Sequence, residues 1–298
     1  MAFFADFFNF LKLKKMVTKR LFFQTLSPSQ EKILLALARY KYLTAGQLLR
    51  LGIMSDRANL NKQIAELRLR KDPLVGSIAF GVHPAIGKLE NVHFLKAHGA
   101  EIVKDYLRED VVRFPKNEGQ FYQKDYFHRM NMINVQIALH EGISKNDGCE
   151  IMLFSTYFDK VSTGKKKGYR AESSIQISEN DYLIADALCT IQTSKRKELY
   201  AIEMYNGDDT NRVHKSLFHH LKALSVGQPS RMFGLDYGSR ILCIFELEVY
   251  KQMAMKRLSE DNSFAEAKFH FLFKSLEEIK QNAFEDWWLF DGTQVKLF

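Results

Sequence analysis

Apolar and polar positions recur with helical and then strand-like periods along this chain, and the signals between them are clear. Ser27-Pro28-Ser29-Gln30 combines a capping box with proline at the first helical position. A helix is therefore predicted from Ser27 to near Tyr40, with Ile33, Leu34, Leu37 and Ala38 as its apolar face. Thr44 to Gln47 repeats the box and opens a short helix carrying Leu48, Leu49 and Leu51, which stops at Gly52. Ser55 is placed to cap a third helix, in which Leu60, Ile64 and Leu67 fall at helical spacing. Two extended segments, 75–80 and 88–95, flank a turn containing Gly81, Pro84 and Gly87. A helix over 99–107 follows, and the polar residues 113–124, with Pro115 and Gly119, read as a linker.

Beyond the linker the pattern predicts a helix over 128–141 and a strand over 150–158. Two apolar strands follow, carrying Asp186 and Glu203 and joined across the polar residues 192–197. A long helix over 210–226 has Val213, Leu217, Leu221 and Leu224 as its buried face. A strand over 240–247, a helix over 249–259, a strand over 267–273 and a short helix near Leu276 lead to an aromatic end at Trp287 and Trp288. This order predicts an α/β (α+β) architecture, a mixed sheet flanked by helices. The expected divisions are an aromatic and basic N-terminal segment (1–26), a first domain (27–112) and a second (125–298).

Composition narrows the partners. The 298 residues can bury a sizeable core, and the 46% hydrophobic and 26% charged content is that of an ordered globular chain. A net charge of +8 and a pI of about 9.2 favour a polyanion, either nucleic acid or an acidic membrane surface. Cys149, Cys189 and Cys243 are odd in number and far apart, and two lie in apolar runs. Free thiols in a reducing cytoplasm are expected, with no disulfide or zinc knuckle. No apolar run reaches the ~18 residues of a membrane span. Met1 to Phe10 is unlike a signal peptide, because Asp6 interrupts it and its basic cluster follows the apolar run. It reads as an amphipathic helix that docks on the body or a partner, or else as a membrane-surface anchor.

Three helices followed by a hairpin is the order of a winged helix, whose third helix normally enters the major groove. Here that helix and its end carry Arg57, Asn59, Asn61, Lys62, Arg68, Arg70 and Lys71 opposite the apolar stripe. Double-stranded DNA is the expected ligand; a solvated helix or a protein-interaction module is the alternative. The loop-like run Lys165, Lys166, Lys167 to Arg170 suits phosphate contacts, or a solvated loop.

Asp186 and Glu203 carry the candidate chemistry. Alternation brings Asp186, Leu188 and Thr190 to one face, and Ala201, Glu203 and Tyr205 to the same face of the neighbouring strand. Two carboxylates there would suit Mg²⁺ or Mn²⁺, which polarises a phosphodiester and acidifies an attacking water. Solvated acids at strand ends are the alternative.

The second domain resembles the PD-(D/E)XK restriction-endonuclease-like fold. Ile184-Ala-Asp186-Ala stands where that family has Pro-Asp, and Glu203-Met-Tyr205 where it has (Asp/Glu)-X-Lys. Over residues 27 to 275 the chain resembles the replication-relaxation proteins and MobC-type conjugative relaxases, which join a winged helix to such a domain. The shared segments are Ala36 to Ala45, His128 opening a helix, Ile184 to Ala187, and Ile202 to Thr210 leading into a basic helix. Tyr205 replaces the expected lysine. The resemblance implies that Lys215, or His219, could supply it, that Tyr205 could act as a nucleophile, and that His128 could orient phosphate or ligate metal. Glu141 is a candidate third acid.

Taken together these features imply a plasmid or mobile-element protein that binds origin DNA and nicks one strand, alongside other relaxosome proteins. A non-catalytic replication or mobilisation accessory protein, and a winged-helix transcriptional regulator, are the alternatives.

Overall fold

In the computed structural model Ser27 accepts a hydrogen bond from the Gln30 amide and Gln30 returns one to the Ser27 amide, which starts helix α1 (Pro28–Tyr40). The structure describes residues 26–115, 125–162, 169–235 and 238–298. The segment 1–25, the linker residues 116–124 and Lys165, Lys166 and Lys167 lie outside the described residues. The chain divides into two compact units, Met1–Tyr126 and Phe127–Phe298.

In the first unit, α1 is followed by β1 (Leu43–Thr44), α2 (Ala45–Arg50), α3 (Arg57–Arg68), β2 (Val75–Ile78), β3 (Val82–His83), β4 (Gly87–Lys88), β5 (Val92–Leu95) and α4 (Ala97–Tyr106). Thr44 and Gln47 form the second capping box. The third helix is capped by Asp56, one residue beyond Ser55; its Oδ2 accepts from the Asn59 amide at 2.7 Å. An antiparallel sheet of order β1-β5-β2 pairs Leu43 with His93 and Val75 with Leu95, and β3 and β4 form a small separate hairpin. Leu34, Leu37, Leu60, Ile64, Leu67, Val92 and Val103 are almost wholly buried in this unit. Gly99 permits the close approach of α4: a Cβ there would lie 2.2 Å from the Leu74 carbonyl oxygen.

The second unit centres on a seven-stranded mixed sheet. Its elements are α5 (Tyr126–Ile143), β6 (Glu150–Thr156), β7 (Lys160–Ser162), β8 (Tyr169–Ala171), β9 (Ser174–Gln176), β10 (Tyr182–Ile184), β11 (Ala187–Gln192), β12 (Lys197–Tyr205), α6 (Thr210–Ser225), α7 (Gln228–Phe233), β13 (Arg240–Phe245), α8 (Glu248–Ser259), a 3₁₀ segment (Asn262–His270), β14 (Phe271–Ser275), α9 (Leu276–Gln281), β15 (Trp287–Trp288) and β16 (Gln294–Val295). Sheet order is β16-β15-β14-β13-β12-β11-β6, parallel between β12, β13 and β14 and antiparallel elsewhere. Alternation sorts the strands' side chains between two cores. Leu188, Ala201, Tyr205, Cys243 and Phe273 share one with Val213 and Leu217 of α6 and Met255 of α8. Cys189, Tyr200, Ile202 and Leu242 share the other with Met132, Val135 and Leu139 of α5.

Two boundaries differ from the pattern reading in ways that matter. Asp186 lies between strands: β10 pairs with β9 in a separate two-stranded sheet, and β11 begins only at Ala187. Residues 262–270 are a 3₁₀ segment because Asp261 caps it through the Ser263 amide, so the strand starts at Phe271. Among the described residues no helix is long and apolar enough to cross a membrane.

Candidate functional site

Ala187 pairs with Ile202, which sets Asp186 and Glu203 against one another where β11 begins and β12 runs on. Because β11 stops there, the Met204 amide has no ladder partner on that side. Asp186 Oδ2 accepts from it at 2.8 Å, and its backbone oxygen accepts from the Tyr157 amide. The carboxylate thus substitutes for a missing strand residue. Its Oδ1 lies 2.9 Å from His128 Nε2, in the first turn of α5, and both side chains are mostly buried.

Glu203 points to the core shared with α6. Asp209 caps α6 by accepting from the Arg212 amide, and the helix then turns Val213, Leu217 and His220 inward. His220 Nε2 lies 2.6 Å from Glu203 Oε1, and the two residues are 2% and 6% exposed. Burial, reinforced by the nearby negative charge of Asp186, drives the Glu203 carboxyl well above its ordinary range. Burial also pushes His220 down to about 4. Both shifts favour neutral groups, so the pair shares one proton, with the Glu203 hydroxyl donating to His220 Nε2.

The structure therefore brings together His128, Asp186, Glu203 and His220. Of these His220 was not anticipated; His219 was the histidine favoured by sequence. The signal was present, because His220 lies three residues after Leu217 on the inward stripe. His219 instead meets Asp181 at 3.1 Å, alongside Lys222. Lys215 lies on the exposed side of α6 and no described contact joins it to the carboxylates. Tyr205 is buried, stacks obliquely on Phe245 at 5.0 Å and bonds Ser216 Oγ at 3.1 Å. Burial raises its phenol well above the ordinary value, which opposes a nucleophilic phenolate. Glu141 sits at the far end of α5 from His128, about 20 Å along the helix axis, and is no third acid for this site.

In this arrangement both Asp186 oxygens and Glu203 Oε1 are engaged in internal hydrogen bonds, so a hard cation such as Mg²⁺ or Mn²⁺ would have to take Glu203 from His220 to gain an anionic oxygen there. Among the described residues, no group of three or more His, Cys, Asp and Glu side chains is placed to hold a metal ion.

In the first unit, Asn59, Asn61, Lys62 and Arg68 are exposed along α3. Arg57 is exposed too, but its Nη1 is paired with Glu90 Oε1 at 2.5 Å. Arg70 lies past the helix end and turns back to Gln30 Oε1 at 3.0 Å, so it supports the α1 cap. A cleft of about 370 Å³ between α3 and β4–β5 is lined by Arg57, Asn61, Arg68, Lys88, Glu90 and His93. Burial, and then the Arg68 charge, lowers His93 to about 4, and His93 Nδ1 lies 2.5 Å from Ser77 Oγ. Arg170 is exposed on β8.

No protein-family model matches this chain. No curated protein and no solved structure matches it either.

Proposed function

We propose that this chain binds duplex DNA through a winged helix in its first unit, as a non-catalytic accessory protein of plasmid replication or mobilisation. One observation carries the reading: α3 turns Asn59, Asn61, Lys62 and Arg68 outward beside a polar cleft flanked by Lys88, on a chain of net charge +8. Amide and guanidinium donors on one exposed helix face suit base edges and phosphates together. The second unit, with a restriction-endonuclease-like strand order in this reading, then serves as a scaffold. Its acid–histidine cluster is spent on internal hydrogen bonds. Fluorescence anisotropy with a 30-base-pair duplex tests this: affinity should fall steeply with salt, and failure to bind at low salt would end the reading.

A second reading, metal-dependent nicking of one strand, is favoured by Asp186 and Glu203 facing one another at the ends of neighbouring strands. It requires Glu203 to lose its proton and leave His220. Supercoiled plasmid incubated with Mn²⁺ decides between the two. Conversion to open circles by the wild type, abolished in Glu203→Gln, would establish nicking; an unchanged plasmid with tight DNA binding supports the accessory role.

A further inference from the structure

The opposite end of β12 holds a pocket unlike the acid–histidine cluster. Glu203 and Lys197 lie on the same strand about 20 Å apart. Around Lys197, the starts of β12, β13 and β14 and the C-terminal strand enclose a cavity of about 310 Å³. That volume lies at the small end of ligand sites. Among its described lining residues are four cations, Arg196, Lys197, Arg240 and Lys296, and one carboxylate, Glu198. Lys296 also pairs with Glu285 at 2.9 Å beyond the lining, and Leu199, Leu235, Leu272, Leu289 and Phe269 give the pocket an apolar wall.

Arg240 is held in place. The two N–H groups of its Nη2 are shared among Glu198, the Leu297 carbonyl and the Tyr200 hydroxyl, the last at 2.7 Å. Arg196 Nε fixes the other Glu198 oxygen at 2.9 Å, and the Tyr200 hydroxyl donates to Glu198 at 2.6 Å. All three Arg240 bonds leave from one nitrogen, so Nη1 and Nε have no partner among the described residues, although the residue is largely buried. His270 is fixed in the same way. The Ser239 carbonyl at 2.8 Å requires the proton on Nδ1, which leaves Nε2 without a described partner. A Cβ on Gly238 would lie 2.7 Å from the His270 ring, so only glycine lets the ring sit there.

We propose that this pocket binds a nucleoside monophosphate unit, with the phosphate on Arg240 and His270 and the base against the apolar wall beside Phe269. The excess of cations selects an anion, and positioned guanidinium donors favour phosphate over a diffuse charge. A bare inorganic ion would leave the Leu235, Leu272 and Phe269 surface uncovered. Phe269 is 62% exposed, and aromatic rings of this kind stack bases. A free nucleotide and a 5′-phosphorylated DNA end present the same chemistry.

Isothermal titration of the full chain with dAMP, deoxyadenosine, inorganic phosphate and hexathymidylate with or without a 5′-phosphate tests this. Binding of dAMP about tenfold or more tighter than deoxyadenosine and than phosphate is expected, a gap of one well-placed charged contact. Tighter binding of the 5′-phosphorylated hexamer than of dAMP identifies a DNA end as the ligand; the reverse identifies a free nucleotide. Arg240→Lys keeps the charge but removes the fork, and His270→Ala removes the Nε2 that, with the ring proton on Nδ1, accepts from a phosphate hydroxyl; each should weaken dAMP about tenfold. Should Arg240→Lys unfold, Lys197→Ala at the exposed rim replaces it and should still weaken binding severalfold, as loss of one charge at the rim would. No heat with dAMP at millimolar concentration, or equal affinity in folded Arg240→Lys and His270→Ala, would overturn the proposal.

Discussion

His220 Nε2 and Glu203 Oε1 are 2.6 Å apart in a region closed to solvent, and this contact makes its own contribution to the pH behaviour of the second unit. The folded pair keeps one proton from about pH 4, where His220 gives one up, to the raised Glu203 value. The unfolded pair holds two below 4.5, one between 4.5 and 6.5, and none above 6.5. Stability follows the difference in bound protons. The pair's contribution should therefore rise briefly near pH 4, stay level between 4.5 and 6.5, and fall above 6.5, by the free energy of one proton per pH unit, until Glu203 ionises. Glu203→Gln leaves only the histidine, whose lowered value makes stability rise through that window and then level off. Thermal midpoints across pH distinguish the two profiles.

Asp186→Ala should destabilise the chain by about 1–3 kcal/mol, because the buried Met204 amide and His128 each lose a hydrogen bond. Asp186→Asn keeps an oxygen for the amide and should lose less than half as much. Urea denaturation compares them, and equal stability of the alanine variant and the wild type would contradict the strand-substitute role.

Lys62→Ala and Arg68→Ala should each lower the slope of log affinity against log salt by about one, through the loss of one phosphate contact apiece. Arg70→Ala should leave that slope alone and instead loosen α1, since its guanidinium holds Gln30 in the capping box. Anisotropy at several salt concentrations, paired with melting curves, separates these effects.

Gly99→Ala should cost about 1–3 kcal/mol, the usual penalty of overpacking, because its methyl group would meet the Leu74 carbonyl oxygen at 2.2 Å. Substitution at Gly52, where a Cβ would meet nothing but φ is +69°, should cost less. Melting temperatures of the two alanine variants give the comparison.

Much of the element order could be read from local chemistry. The boxes at Ser27 and Thr44 announce α1 and α2 because the capping bonds are made within four residues. Alternation along Ala201, Glu203 and Tyr205 reads as one face of β12, and Ala201 and Tyr205 do share one core. What escaped depends on distant partners. A run from Leu183 to Leu188 that is apolar except at Asp186 conceals that β10 pairs with β9 and β11 with β6 and β12, so Asp186 falls in the gap. The choice of His220 over His219 turns on one residue of helical phase. The Arg240 pocket was missed altogether, since Arg196, Arg240, His270 and Lys296 converge only through parallel strand starts far apart in sequence.

That parallel arrangement also governs how the second unit assembles. The β11–β12 hairpin closes over a short polar turn, with Thr193 Oγ1 donating to the Arg196 carbonyl at 2.9 Å, and can form from neighbouring residues alone. β13 can join β12 only after α6 and α7 have been gathered into the crossover, and β14 only after α8. During synthesis the chain would therefore carry β12 as an unpaired edge until Arg240 to Phe245 leave the ribosome. Glu203 can meet His220 as that crossover forms, and Cys243 joins them when β13 docks, so the proton-sharing pair is enclosed before β14, β15 and β16 extend the sheet.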